Sequence, residues 1–301
     1  MRETLYSRLR AEFSAGDREK NEGLASPEDV LRFDDILYDT ADPDWNRLDV
    51  YLPKYKKGPF PVIISVHGGA WVYGCKEGYQ YYCMSLAQYG FAVVNFSYRL
   101  APEHPVTDEL VDTDHVVKWV LGHCGEYQLD AERIFMVGDS AGGNLAAIYA
   151  GICTNPGFAA RYSIKPPEDF APLALGLNCG VFDLFMEVVD GESNTRDILR
   201  EIFHTEDPVE FLPLLNAIDG LSAKFPPVCL ITAEQDFLRP QSHRMKEALD
   251  SFGIPCLLYD CVGRKVPLWH DFHTHMKEEE AREVNEKQCN FFLDIAGRRR
   301  P

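Results

Sequence analysis

Short apolar runs alternate with longer amphipathic stretches along most of the chain. Pro61 to Val66, Ala92 to Tyr98, Ile134 to Gly138, Leu173 to Asn178 and Pro227 to Ala233 read as strands covered on both faces. Arg47 to Leu52 and Cys256 to Tyr259 extend the set to either side. Between and after them, Tyr79 to Tyr89, Glu109 to His123, Gly143 to Cys153, Pro240 to Ser251 and Glu278 to Leu293 carry helical periodicity. Strands that alternate with helices predict an α/β chain with a mainly parallel central sheet and helices on both faces. Two portions break the repeat. Residues 1 to about 42 are polar and helix-prone, and residues from about 183 to 222 look helical without a strand of their own. Helical insertions at the carboxyl-end face of such a sheet lie where ligands bind, so both are expected to form a small helical cap. The domain reading is an N-terminal helical cap segment over 1–42 and a main domain over 43–301, with a cap insertion at about 183–222.

The apolar run Ile134 to Gly138 breaks into Gly138-Asp139-Ser140-Ala141-Gly142, a G-x-S-x-G pattern at a strand-to-helix junction. Such a turn lifts a serine hydroxyl clear of the sheet, and the flanking glycines leave room for a tight, strained backbone. Upstream, Pro61 to Val66 runs into His67-Gly68-Gly69-Ala70-Trp71. Adjacent glycines at a strand end expose amides that, with the amide of Ala141 after the serine, make an oxyanion hole. A nucleophilic Ser140 needs an acid and then a histidine later in the chain. Glu234 and Asp236 both follow the strand ending at Ala233, and Asp236, farther out in the loop, is the favoured acid. Downstream histidines are His243, His270, His273 and His275. His243 falls within a helix, and His270, after the last strand and before the final helix, is the favoured base.

Composition narrows the picture. A chain of 301 residues, 46% of them apolar, can bury one large core. A net charge of −17 argues against nucleic acid or an anionic membrane surface as partner. The start lacks the uninterrupted apolar core of a signal peptide, and no apolar stretch is long enough to span a bilayer. Nine cysteines without a C-x-x-C pair fit a reducing compartment, so a cytoplasmic protein is expected. The histidine cluster lacks the partners of a metal site, and neither metal nor cofactor is expected.

Taken together, His67 to Trp71, then Tyr98-Arg99-Leu100-Ala101-Pro102-Glu103-His104-Pro105, then Gly138 to Asn144 closely resemble the hormone-sensitive-lipase-like carboxylesterases of the α/β-hydrolase superfamily. The resemblance runs from about residue 45 to the end and is weakest over the two cap segments. It implies an α/β-hydrolase fold and a serine carboxylesterase with a small-molecule ester as partner, and the short cap segments favour short acyl chains. It carries the nucleophile role to Ser140, the acid to Asp236, the base to His270 and the oxyanion donors to Gly68, Gly69 and Ala141. Trp71 and Tyr73, beside the oxyanion loop, are expected to line the substrate. The chain departs from the family at Ala70, where a third glycine is usual, at Pro240 and Gln241, where an acidic residue is common, and at Asp271, where glycine usually follows the histidine. The last change would set a carboxylate near the imidazole. Two rivals stand beside this reading. One is an arylformamidase-like amidase, which shares the His-Gly-Gly-x-Trp loop. The other is a non-catalytic ligand receptor on the same scaffold. Oligomeric state is not readable from the chain.

Overall fold

A computed structural model of the chain describes residues 4–190 and 194–298. Eight strands form one sheet in the spatial order β1-β2-β4-β3-β5-β6-β7-β8. They are β1 (Val30–Leu37), β2 (Arg47–Pro53), β3 (Phe60–Val66), β4 (Ala92–Phe96), β5 (Leu129–Asp139), β6 (Leu175–Asn178), β7 (Val228–Ala233) and β8 (Cys256–Cys261). From β4 onward across the order every pairing is parallel, and only β1 and β2 run antiparallel to their neighbours. The helices are α1 (Leu5–Asn21), α2 (Lys76–Gln88), α3 (Val106–Gly122), α4 (Ser140–Thr154), the short α5 (Pro156–Ala159), α6 (Leu184–Asp190), α7 (Thr195–Ile202), α8 (Arg239–Ser251) and α9 (Glu279–Arg298).

The continuous apolar runs have the physical origin expected of them. Every residue of β3 is buried. Val62, Ile64 and Val66 join Leu145 and Ile148 of α4 on one face, while Ile63 joins Phe135, Met84 of α2 and Phe292 of α9 on the other. A strand covered on both sides has no reason to alternate polar with apolar. Among the described residues, no helix is long and apolar enough to cross a membrane.

The N-terminal segment differs from expectation. Helix is present over Leu5–Asn21, but Val30–Leu37 is a strand at the sheet edge, where helix was expected to residue 42. Its pattern is masked because the edge exposes much of it and because a bulge between Phe33 and Ile36 inserts Asp34 and Asp35. Asp35 sits at φ 59°, and its amide is held by Asp49 Oδ1 at 2.9 Å. A bulge breaks the period of two on which a strand is recognised.

The later insertion is helical as expected, with α6, α7 and two 3₁₀ turns over Pro208–Leu214 and Ala217–Gly220. Residues 191–193 of that prediction lie outside the described residues. The two off-pattern segments meet: Glu201 of α7 accepts the amides of Leu5 and Tyr6 at 2.7 and 2.8 Å, a carboxylate set on the electropositive start of α1.

Candidate active site

Ser140 stands where β5 becomes α4, at φ 49°, a left-handed conformation that costs a side-chain-bearing residue energy. The neighbouring glycines are there for want of space. A Cβ on Gly142 would lie 2.2 Å from the Val66 carbonyl oxygen and 2.3 Å from that of His67, and one on Gly138 would lie 2.4 Å from the Gly142 oxygen. These are backbone atoms that cannot rotate away. The turn is thus clamped between β3 and its own helix.

Three strand ends converge on the serine. His270 Nε2 lies 3.0 Å from Ser140 Oγ, and His270 Nδ1 lies 2.7 Å from Asp236 Oδ1. Asp236 follows β7, and its carboxylate also accepts from Thr232 Oγ1 at 2.7 Å and from the Leu238 amide at 3.0 Å. Burial works to raise the Asp236 pKa, but His270, Thr232 and the Leu238 amide outweigh it and hold the group below its ordinary value. The rival residues point elsewhere. Glu234 accepts the Gly263 amide at 3.2 Å. His243 is exposed and pairs with Asp260 at 2.9 Å. His273 is buried edge-on against Tyr82, and His275 is exposed.

The glycine loop after β3 is bent by three successive positive φ angles, 126° at Gly69, 54° at Ala70 and 61° at Trp71. It does not offer all its amides. The Gly68 N–H, one of the expected donors, is engaged by the Tyr79 hydroxyl at 3.0 Å, and Tyr79 in turn donates to Asp139 Oδ2 at 2.5 Å. Among the described residues no hydrogen bond occupies the Gly69 amide. Ala141 is the second residue of α4, in the first turn where amides lack intrahelical partners.

The two aromatics expected to line the substrate face other duties. Trp71 is 2% exposed and belongs to the core. Tyr73 donates to Asp17 Oδ2 of α1 at 2.8 Å and packs edge-on against Phe13. Arg10 completes this junction, donating to the Val72 carbonyl at 2.6 Å and the Ala101 carbonyl at 3.0 Å while pairing with Glu103. Helix α1 therefore braces the loop. The aromatic that flanks the imidazole at the surface is Phe237, whose ring centroid is 4.4 Å from that of His270; it and Trp269, the residue before His270, are 58% and 62% exposed. Spacing alone could not single them out, because each is one residue from a group with a stronger claim.

Two acids crowd the site. Asp271 Oδ2 lies 3.2 Å from His270 Nε2, on the same nitrogen that faces Ser140. Asp139, buried beneath the serine, is pushed well up by burial and then by the nearby Asp271 charge. Burial lowers the imidazole pKa, but Asp271, Asp236 and Asp139 together raise His270 to about 9. Donor atoms of Cys179 come within 4.8 Å of those of Asp236 and His270, and also of those of Asp271 and His273. Burial drives the Cys179 thiol pKa well up, which works against the thiolate a metal would require. His270 Nδ1 is already committed to Asp236. Proton traffic is what this set of groups serves best.

A serine on a strand-to-helix turn, a histidine and aspartate from later strand ends, and a largely parallel eight-stranded sheet define an α/β-hydrolase. Comparison with known proteins narrows the class. The chain belongs to the BD-FAE family, whose model matches residues 48–249. It is 28% identical over 240 residues to a probable isoprenylcysteine alpha-carbonyl methylesterase of Arabidopsis thaliana, covering 72% of this chain and 47% of that protein. It is 30% identical over 219 residues to carboxylesterase NlhH of Mycobacterium tuberculosis, covering 68% of this chain and 65% of that one. The chain thus spans about half the length of the plant relatives it matches. Among solved structures, esterase B from Lactobacillus rhamnosis superposes with a TM-score of 0.87 at 23% identity, over 97% of this chain and 94% of that one, a likeness of fold.

Proposed function

We propose that this protein is a serine carboxylesterase that hydrolyses short-chain carboxylic esters through an acyl-enzyme. The observation that carries the reading is the continuous line from Ser140 Oγ to His270 to Asp236, at 3.0 and 2.7 Å. His270 takes the serine proton as Oγ attacks the ester carbonyl, then returns it to the leaving alcohol, and water repeats the sequence to release the acid. Asp236 keeps the proton on Nδ1 and stabilises the imidazolium. The oxyanion is received by the amides of Gly69 and Ala141, while Gly68, engaged by Tyr79, shapes the loop. No cofactor enters this scheme.

Helix α1 and the insertion near 183–222 act as the cap, tied together by Glu201 on the start of α1. Phe237 takes the substrate-facing role expected of Trp71 and Tyr73, since its ring lies against His270 in the open. Relatives named as esterases favour an ester over the formamide of an arylformamidase, and a histidine within reach of the serine disfavours a receptor. Nine free cysteines, several of them buried, support a reducing, cytoplasmic setting.

The test is hydrolysis of p-nitrophenyl esters from acetate to laurate by the parent protein and by Ser140→Ala. Turnover should peak at short chains, and the variant should lose on the order of 10⁴–10⁶ in kcat without loss of fold. A folded Ser140→Ala protein that keeps most of its activity removes the serine from the mechanism.

A further inference from the structure

The residue after the base has a side chain where the backbone favours none. Asp271 sits at φ 57°, ψ 22°, in the left-handed region that glycine enters freely. Its carboxylate is divided between two surroundings. Oδ2 lies 3.2 Å from His270 Nε2, and the side chain is 24% exposed at the mouth of the site. Oδ1 is buried, on a side chain paired with Asp139.

We propose that Asp271 is a positioning residue of the proposed esterase site: its carboxylate, 3.2 Å from His270 Nε2, competes with the Ser140 hydroxyl for that nitrogen and stabilises the imidazolium over the neutral base. The inference rests on the triad reading above.

The charges fall into place one group at a time. Two carboxyl groups this close cannot both ionise readily. Asp139, fully enclosed, keeps its proton against the hydrogen bond it accepts from Tyr79, which favours the charged form. Asp271 is raised by burial and by Asp236 to about 6, against the pull of His270 and Lys20, so it is ionised at neutral pH. An imidazolium then finds a carboxylate at each nitrogen, Asp236 at 2.7 Å on Nδ1 and Asp271 at 3.2 Å on Nε2. Only a neutral imidazole offers Nε2 as an acceptor to the Ser140 hydroxyl. The other groups around the ring do not cancel this. Cys179 at the end of β6 is a neutral thiol, and His273 is kept neutral by burial. Lys20 of α1 pairs with Asp17 at 2.8 Å with its ammonium 5.0 Å from the Tyr79 ring centroid. Activity is therefore lost as pH falls through the His270 value near 9, above the ordinary imidazole range.

The experiment records kcat/KM for p-nitrophenyl butyrate from about pH 5 to about pH 10 in the parent protein, Asp271→Asn and Asp271→Gly, with Ser140→Ala as the control. Glycine suits the backbone at this position, so the second variant guards against misfolding of the first. Removing the carboxylate should move the acid limb down by about one pH unit or more, raising the fraction of plateau activity near pH 6 by about tenfold. An acid limb that stays in place, or moves up, in a folded and serine-dependent variant overturns the proposal. A second readout needs no turnover: the His270 ring protons are titrated by NMR in Ser140→Ala with and without Asp271→Asn. A lower midpoint without the carboxylate supports the proposal, and equal midpoints overturn it. Hydrolysis that survives in Ser140→Ala would instead count against the triad reading, and the NMR comparison would still decide the role of Asp271.

Discussion

The serine and the histidine reach the same point in space by different means. The turn carrying Ser140 is fixed by backbone against backbone: Gly138 and Gly142 leave no room for a methyl group between β3, β5 and α4. The segment carrying His270 is fixed by side chains. Asp236, Phe237 and Asp271 surround the imidazole, and the chain before it runs through the exposed residues 262–267 with a single isolated bridge at Trp269. A backbone-clamped nucleophile tolerates little variation, whereas a histidine held by charges can be retuned by one substitution. In the proposed esterase, the first region carries the reaction class and the second sets the conditions under which it runs.

Asp236→Asn should break the histidine side hardest. The amide would keep the shape of the loop but lose the carboxylate that fixes the Nδ1 proton and balances the imidazolium, and kcat should fall by about 10³–10⁴. Glu234→Gln, altering the neighbouring acid that accepts the Gly263 amide, should leave kcat within a few-fold. Equal losses in the two variants would mean that the strand end, and not the particular carboxylate, is what matters.

Gly142→Ala attacks the serine side. A Cβ there would stand 2.2 and 2.3 Å from two carbonyl oxygens of the β3 end, so the turn must shift, and a displacement of about 1 Å at a nucleophile costs ~10²-fold in rate. The melting temperature should fall as well. Gly16→Ala in α1, where a Cβ meets nothing within 4 Å, is the matched control and should stabilise by up to ~1 kcal/mol. If both glycine variants behave alike, steric exclusion does not hold the turn.

The same contrast explains what could be read from the chain. The β3, β4, β5, β6 and β7 core was legible because strands buried on both faces leave long apolar runs, and Ser140 was legible because its turn needs glycines at fixed positions. Asp236 and His270 were within reach because chain order places an acid and then a histidine after later strands. Strand β1 was hidden by its exposure and by the Asp34–Asp35 bulge. The Tyr79 bridge between Gly68 and Asp139 was hidden for a different reason: it joins residues 11 and 60 positions apart, and no local pattern encodes such a meeting. Trp71 and Tyr73 were misdirected by proximity in sequence, since a loop that doubles back at three positive φ angles turns its aromatics toward the core and toward α1.

Tyr79→Phe gives the smallest expected effect and the finest distinction. The hydroxyl is the acceptor for the Gly68 amide and a donor to Asp139, and Tyr79 itself is 7% exposed. Its loss leaves a buried N–H without a partner, a penalty of about 1–3 kcal/mol in stability. If Gly68 only shapes the loop, kcat/KM should fall about tenfold as the Gly69 amide drifts from the oxyanion position, with the melting temperature lowered in step. If the Gly68 amide is instead a latent oxyanion donor, freeing it would hold or raise kcat while stability still falls. The two quantities would then separate, and that separation would move Gly68 from the frame of the oxyanion loop into its working part.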